Sequence, residues 1–193
     1  MWGELMKLVV GLGNPGKKHE GTRHNVGFEV LARLARESAA DPPRRKFDGE
    51  VSECLLGGEK ALLLAPQTFM NRSGSSVRQA LDFYQVPYED LLVICDEFQL
   101  PVGQLRMRPQ GTDGGQNGLA DVIRALGTKE FARLRVGIGP VPDRWDPVDF
   151  VLGKFTASER EIIDVEIARA VDAVKLWASE GAAVAMNKFN GKL

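Results

Sequence analysis

Two cysteines in 193 residues, Cys54 and Cys95, are too few for a disulfide framework or a thiolate zinc site. Each lies in an apolar, strand-like run, so the expectation is a pair of buried, reduced thiols. Histidine is equally scarce: His19 and His24 stand alone, and without a clustered acid or cysteine they do not make a metal site. No run of 18 apolar residues occurs and no charged-apolar-small leader opens the chain, so neither a membrane span nor export is predicted. A reducing cytoplasm is the expected compartment. An excess of one charge sign is also missing: 25 Lys and Arg against 26 Asp and Glu leave −1, which excludes a polybasic protein. No internal repeat, low-complexity segment or interdomain linker interrupts the chain. The length and the 44% hydrophobic content fit one globular domain over residues 1–193.

Charge is less even by segment. Residues 17–46 carry +4, 47–103 carry −6, 104–142 carry +3 and 143–193 carry −2. Where the two basic stretches meet in space they would form a phosphate-binding face, although scattered solvated charge is the commoner outcome of such a pattern.

Hydrophobic periodicity sets the elements. Residues 7–11 (KLVVG) form a short apolar run closed by glycine, which predicts a buried strand. Residues 25–38 carry Val30, Leu31, Leu34 and Ala35 at helical spacing, and residues 39–46 (AADPPRRK) read as a polar loop. Residues 51–56 and 60–65 predict a hairpin around Gly57-Gly58. Val77, Ala80, Leu81 and Tyr84 mark a helix that Pro87 stops, and residues 91–95 predict another buried strand. A weak strand at 104–108 precedes the glycine-rich, irregular stretch 110–117. A helix follows with Asn117 as N-cap and Gly127 at its end, then a strand over 131–138. Ser158 and Glu161 read as a capping box ahead of a long helix through Ile163, Ile167, Ala170, Val174 and Trp177. Strands alternating with helices predict an α/β fold: a single three-layer domain with a mixed, twisted sheet flanked by helices.

Gly11-Leu12-Gly13-Asn14-Pro15-Gly16 matches G-x-G-x-x-G directly after a strand, which raises a dinucleotide-binding reading. Its context argues against that reading: Pro15 interrupts the loop, residues 17–23 are polar, and position 31 falls inside a helix with no acid-bearing strand. A tight strand-to-loop turn accounts for the glycines but not for Asn14. Further polar groups occupy the ends of successive elements: His24 before the first helix, Asn71 before a helix, Asp96 after a strand and Asn117 before a helix. In open α/β sheets these ends line the ligand crevice. Taken singly, Asn71 and Asn117 could be N-caps and Asp96 a turn former toward Pro101. Jointly they offer a base, a carboxylate to orient it and three neutral amides, a set suited to hydrolysing an acyl ester with directly activated water. No rival nucleophile competes, since Ser73, Ser75 and Ser76 lack the G-x-S-x-G elbow.

These segments together resemble the bacterial peptidyl-tRNA hydrolase family: LVVGLGNPG at 8–16, TRHNVG at 22–27, PQTFMNRSG at 66–74, DEFQLPVG at 96–103, GGQNGL at 114–119 and FARLRVGIG at 131–139, with FVLG at 150–153 as a weaker match. The resemblance implies a single-domain, monomeric α/β enzyme. It would hydrolyse the ester between a peptide and the 3′ end of tRNA without metal or cofactor. It implies His24 as general base and Asp96 as the carboxylate orienting it. Asn14 would recognise the peptide by accepting its N–H, and Asn71 and Asn117 would position substrate and water. Phe69 would be the aromatic lining the site, His19 would lie in the substrate-binding loop, and Arg108 and Arg135 would meet the tRNA 5′ phosphate. The chain departs from the family pattern at Gln116 and Asp113, where histidine is usual, at Gln99 for aspartate and at His19 for tyrosine. A non-catalytic RNA-binding protein of the same fold is the second reading.

Overall fold

The computed structural model describes residues 6–192; residues 1–5 and 193 of the chain lie outside the described part. One eight-stranded sheet runs in the order β2-β3-β4-β1-β5-β7-β6-β8. Its centre is parallel: β1 (Met6–Gly11) lies between β4 (Glu59–Pro66) and β5 (Leu91–Pro101), and β5 pairs with β7 (Ala132–Gly139). β2 (Arg44–Lys46) and β3 (Gly49–Leu56) add an antiparallel edge beside β4. The other edge is antiparallel too, with β6 (Gln104–Arg108) and the two-residue β8 (Gly191–Lys192).

The central strands read as unbroken apolar runs because both of their faces are covered. Alternate residues divide between two layers. Val9, Leu63, Leu92 and Ile94 pack with α1 (Val26–Glu37), α5 (Ala157–Glu180) and α6 (Ala182–Phe189). Leu8, Val10, Leu62, Leu64, Val93 and Cys95 pack with α2 (Ser73–Tyr84) and α3 (Asn117–Leu126). The mixed three-layer α/β architecture agrees with the sequence reading, as does the hairpin at Gly57-Gly58. Both glycines there have positive φ, 59° and 89°, the backbone of a two-residue turn that matches strand twist.

Several local expectations are corrected. The polar 39–46 segment ends in β2, because Arg44 and Lys46 find ladder partners in Val51 and Gly49. β5 runs past residue 95 to Pro101, so Asp96 sits inside a strand and opens no turn. Gln116 caps α3 in place of Asn117, its side-chain oxygen accepting from Leu119 N–H. Asn71 lies in a single 3-10 turn, Met70–Arg72, ahead of α2 and caps nothing. The capping box of α5 is Thr156 with Glu159, two residues before the pair read from sequence. Cys95 is buried as expected, whereas Cys54 is only half-buried. α4 (Pro147–Leu152), capped by Asp146 with Pro at its first position, was not foreseen.

Candidate active site

At the carboxyl ends of β1 and β5 the chain must leave the sheet, and two glycines determine how closely it does so. A Cβ on Gly27 would stand 2.6 Å from the Leu12 carbonyl oxygen and 2.7 Å from that of Ile94; one on Gly11 would meet the Gly27 oxygen at 2.4 Å. Without side chains there, the first turn of α1 rests directly on β1 and β5. Gly11 therefore serves close packing, and the loop leads into a 3-10 turn, Lys17–His19, where a dinucleotide site would place its helix.

That contact carries the preceding 3-10 turn, Arg23–Asn25, onto the strand ends, with all three residues buried. His24 Nδ1 lies 2.8 Å from Asp96 Oδ2. His24 is 8% exposed and Asp96 2%, so the pair is shielded from screening yet open on one side. Asp96 as carboxylate can only accept, which puts the ring proton on Nδ1 and leaves the Nε2 lone pair free. Its second oxygen, Oδ1, accepts from Gln116 Nε2 at 3.0 Å. Next to it in β5, burial pushes the Cys95 thiol up to about 12, reinforced by the Asp96 charge, so that thiol stays protonated.

The flanking residues of the turn are equally constrained. Asn25, missed in the sequence reading, brackets the backbone of Asn14: its Oδ1 accepts from Asn14 N–H at 2.8 Å and its Nδ2 donates to Asn14 C=O at 2.9 Å. The Asn14 side chain in turn accepts from Met70 N–H through Oδ1 at 2.8 Å. That oxygen keeps a second lone pair with which a substrate N–H could still bond, and the amide nitrogen is a further free donor among the described residues. Arg23 stacks its guanidinium 4.4 Å from the Phe150 ring and donates to Glu159 Oε2 at 2.7 Å, tying α4 and α5 to the histidine turn.

These elements enclose a cleft of about 250 Å3. Asn14, His24, Phe69, Asn71, Asp96 and Asn117 all line it, as six of the residues singled out from sequence. Phe69 is 59% exposed at the rim. Asn71 and Asn117 are exposed, and their amides make no hydrogen bond within the described residues. The opposite wall is apolar, built from Phe98 and from Pro147, Val148, Val151 and Leu152 of α4. The Asp-Pro pair at 146–147 is a helix-start signal that would have revealed this wall.

Three expected site residues stand elsewhere. His19 is half-buried outside the cleft, its carbonyl accepting from Thr22 Oγ1 at 2.8 Å and its Nε2 buried without a partner. Arg108 is exposed on β6, on the antiparallel edge. Arg135 is 8% exposed, bonded to Glu97 and to Thr112 C=O at 2.7 Å, so its guanidinium is not presented to a phosphate. Beside it Arg133 is fully buried and donates to Gly111, Thr112 and Lys129 carbonyls; burial brings its guanidinium down to about 10. The two arginines of β7 thus fasten the loop that leads to Gln116. Among the described residues no three His, Cys, Asp or Glu side chains gather where a metal could sit.

The cleft thus gathers an imidazole paired with a buried carboxylate, two free side-chain amides and an apolar wall. The family model described as peptidyl-tRNA hydrolase matches residues 8–193. The chain belongs to the peptidyl-tRNA hydrolase family. A peptidyl-tRNA hydrolase of Rhodopirellula baltica is 51% identical over 185 residues, covering 96% of this chain and 97% of that one. Another, from Desulfitobacterium hafniense, is 47% identical over 96% of this chain and 100% of its own. The crystal structure of peptidyl-tRNA hydrolase from Acinetobacter baumannii has a TM-score of 0.91 at 35% identity, covering 100% of this chain and 97% of that chain. Gln116, a departure from the histidine usual in the family pattern, presents an amide donor to Asp96.

Proposed function

We propose that this protein hydrolyses the ester joining a peptide to the 3′ end of tRNA, releasing free peptide and free tRNA. The observation that carries the reading is the His24–Asp96 pair at 2.8 Å, opening through Nε2 into a cleft lined by Asn14, Asn71 and Asn117. His24 takes a proton from water as the water oxygen attacks the ester carbonyl carbon. Asp96 keeps the ring tautomer and stabilises the imidazolium that forms. The amides of Asn71 and Asn117 donate to the developing oxyanion and position the water, a type of interaction worth about 3–4 kcal/mol per donor. The tetrahedral intermediate collapses as the bond to the tRNA 3′ oxygen breaks, and the imidazolium returns its proton to that oxygen.

Asn14 Nδ2 supports selectivity for blocked substrate. It can donate to the carbonyl that acylates the α-nitrogen of a peptidyl ester, whereas the α-ammonium of an unblocked aminoacyl ester has only donors to offer. Exposed cations, Arg108 among them, supply phosphate contacts that do not depend on base sequence. In this reading the enzyme works as a cytoplasmic, single-domain monomer and needs no cofactor.

The test is peptide release from N-acetyl-aminoacyl-tRNA by purified protein in EDTA, with unblocked aminoacyl-tRNA as control. Hydrolysis of the blocked substrate is expected, with kcat lowered at least ~10²-fold in His24→Ala and KM little changed. Tight tRNA binding without release would establish the non-catalytic reading instead, and an active His24→Ala protein would remove the histidine from the mechanism.

A further inference from the structure

We infer that Gln116 is a positioning residue for the reaction, through which the N-terminus of α3 sets Asp96 and, through Asp96, the ring of His24. The inference rests on the hydrolase reading of the same cleft. Gln116 is 5% exposed and both ends of its amide are engaged. Oε1 accepts from Leu119 N–H at 2.7 Å, and Nε2 donates to Asp96 Oδ1 at 3.0 Å and touches Met70 Sδ at 3.2 Å. The amide has a single workable orientation. Flipping it would set a donor against Leu119 N–H and a carbonyl oxygen against the carboxylate, two repulsions in a buried site.

Asp96 is therefore held from two sides. Its Oδ2 meets the base and its Oδ1 meets a donor anchored to a helix end, so the carboxylate plane cannot turn away from His24 without breaking a charge-assisted bond. Gln116 also precedes Asn117, whose amide faces the cleft, and follows the loop that Arg133 and Arg135 fasten. Substrate contact at Asn117 and orientation of the catalytic carboxylate are thus adjacent links of one short chain of bonds. A glutamine does this without gaining or losing a proton in the working range, unlike a histidine at the same place.

Three variants separate the donor from the helix cap. Gln116→Glu keeps an oxygen for Leu119 N–H and removes the donor to Asp96; Gln116→Met removes both; Gln116→His supplies a ring N–H donor. Steady-state kinetics on N-acetyl-aminoacyl-tRNA should show kcat lowered at least ~10-fold in Gln116→Glu and Gln116→Met, the consequence of losing one hydrogen bond to a charged group, with KM changed by less than ~2-fold. Gln116→His should recover most of the loss. A second readout needs no turnover. With only two histidines in the chain, nitrogen-15 imidazole spectra resolve His24 directly. Its Nδ1–H signal should be exchange-protected in the parent protein and broadened in Gln116→Glu and Gln116→Met. Retained kcat in both variants, a rise in KM alone, or an unaltered Nδ1–H signal would overturn the inference. A parent protein that releases no peptide would refute the hydrolase reading instead, while the spectra would still decide the role of Gln116.

Discussion

Asn14 shows how a side chain can be tightly constrained and still, in the proposed reading, act in selectivity. Its backbone is held by Asn25 on both sides and its oxygen takes one bond from Met70 N–H, so the amide nitrogen and one oxygen lone pair remain for substrate. Asn14→Asp retains the oxygen that Met70 needs and turns the remaining group into an anion. An α-ammonium then finds a partner in the cleft, and the ratio of kcat/KM for blocked over unblocked aminoacyl-tRNA should fall at least ~10-fold, since a charge-assisted bond is worth about 1.5–3 kcal/mol. An unchanged ratio would take Asn14 out of discrimination. That Asn14, His24 and Asp96 meet at one cleft was legible in the sequence because polar residues closing apolar strands are conspicuous. The direction of the Asn14 amide was not legible, because it depends on Met70 N–H, 56 residues away. The place of His19 was not legible either: it lies close to His24 in sequence, but a separate 3-10 turn keeps it off the cleft lining.

At the scale of elements, β7 carries the largest difference between what its sequence suggests and what its structure does. Arg133 and Arg135 belong to a segment of net charge +3, of which Arg135 was expected to meet a phosphate, yet both are buried in the strand and bonded to the loop opposite. The pattern of charge along a chain does not show that carbonyls of a folded-back loop will surround a guanidinium. Arg135→Ala leaves the Glu97 carboxylate buried beside an empty space, and breaking such a pair is worth about 3–5 kcal/mol of stability. Urea denaturation should register that loss, and Arg135→Met combined with Glu97→Leu should recover most of it. Arg108→Ala, by contrast, should leave the urea midpoint unchanged and flatten the salt dependence of tRNA binding by about 0.7–0.9 log units, the mark of one phosphate contact. Equal stability losses for the two arginines would contradict this division. Helices and central strands were readable because their apolar faces repeat with a clear period; α4 was not, since six residues are too few to show one.

For the molecule as a whole, one buried and one half-buried thiol give stability a dependence on alkaline pH. Burial raises Cys95 from 9 to about 12 and Cys54 to about 11. A group whose folded value is raised binds its proton more tightly when folded, so its contribution is complete below the unfolded value and declines as pH rises toward the folded one. Arg133 acts in the opposite sense, but only above about 10. Between pH 9 and 10 the urea midpoint should therefore fall, and fall less steeply in Cys95→Ala; equal slopes would remove the thiol from the balance. The cleft itself has a consequence in time. Its walls come from residues 14, 24, 69–71, 96, 98, 115–117, 147, 148, 151 and 152, and the His24–Asp96 pair is 72 positions apart. Contacts that distant close late, after local helices and the hairpin have formed. In a refolding experiment, circular dichroism should return before esterase activity does, and a chain halted after β5 would hold both members of the pair without the α4 part of the wall.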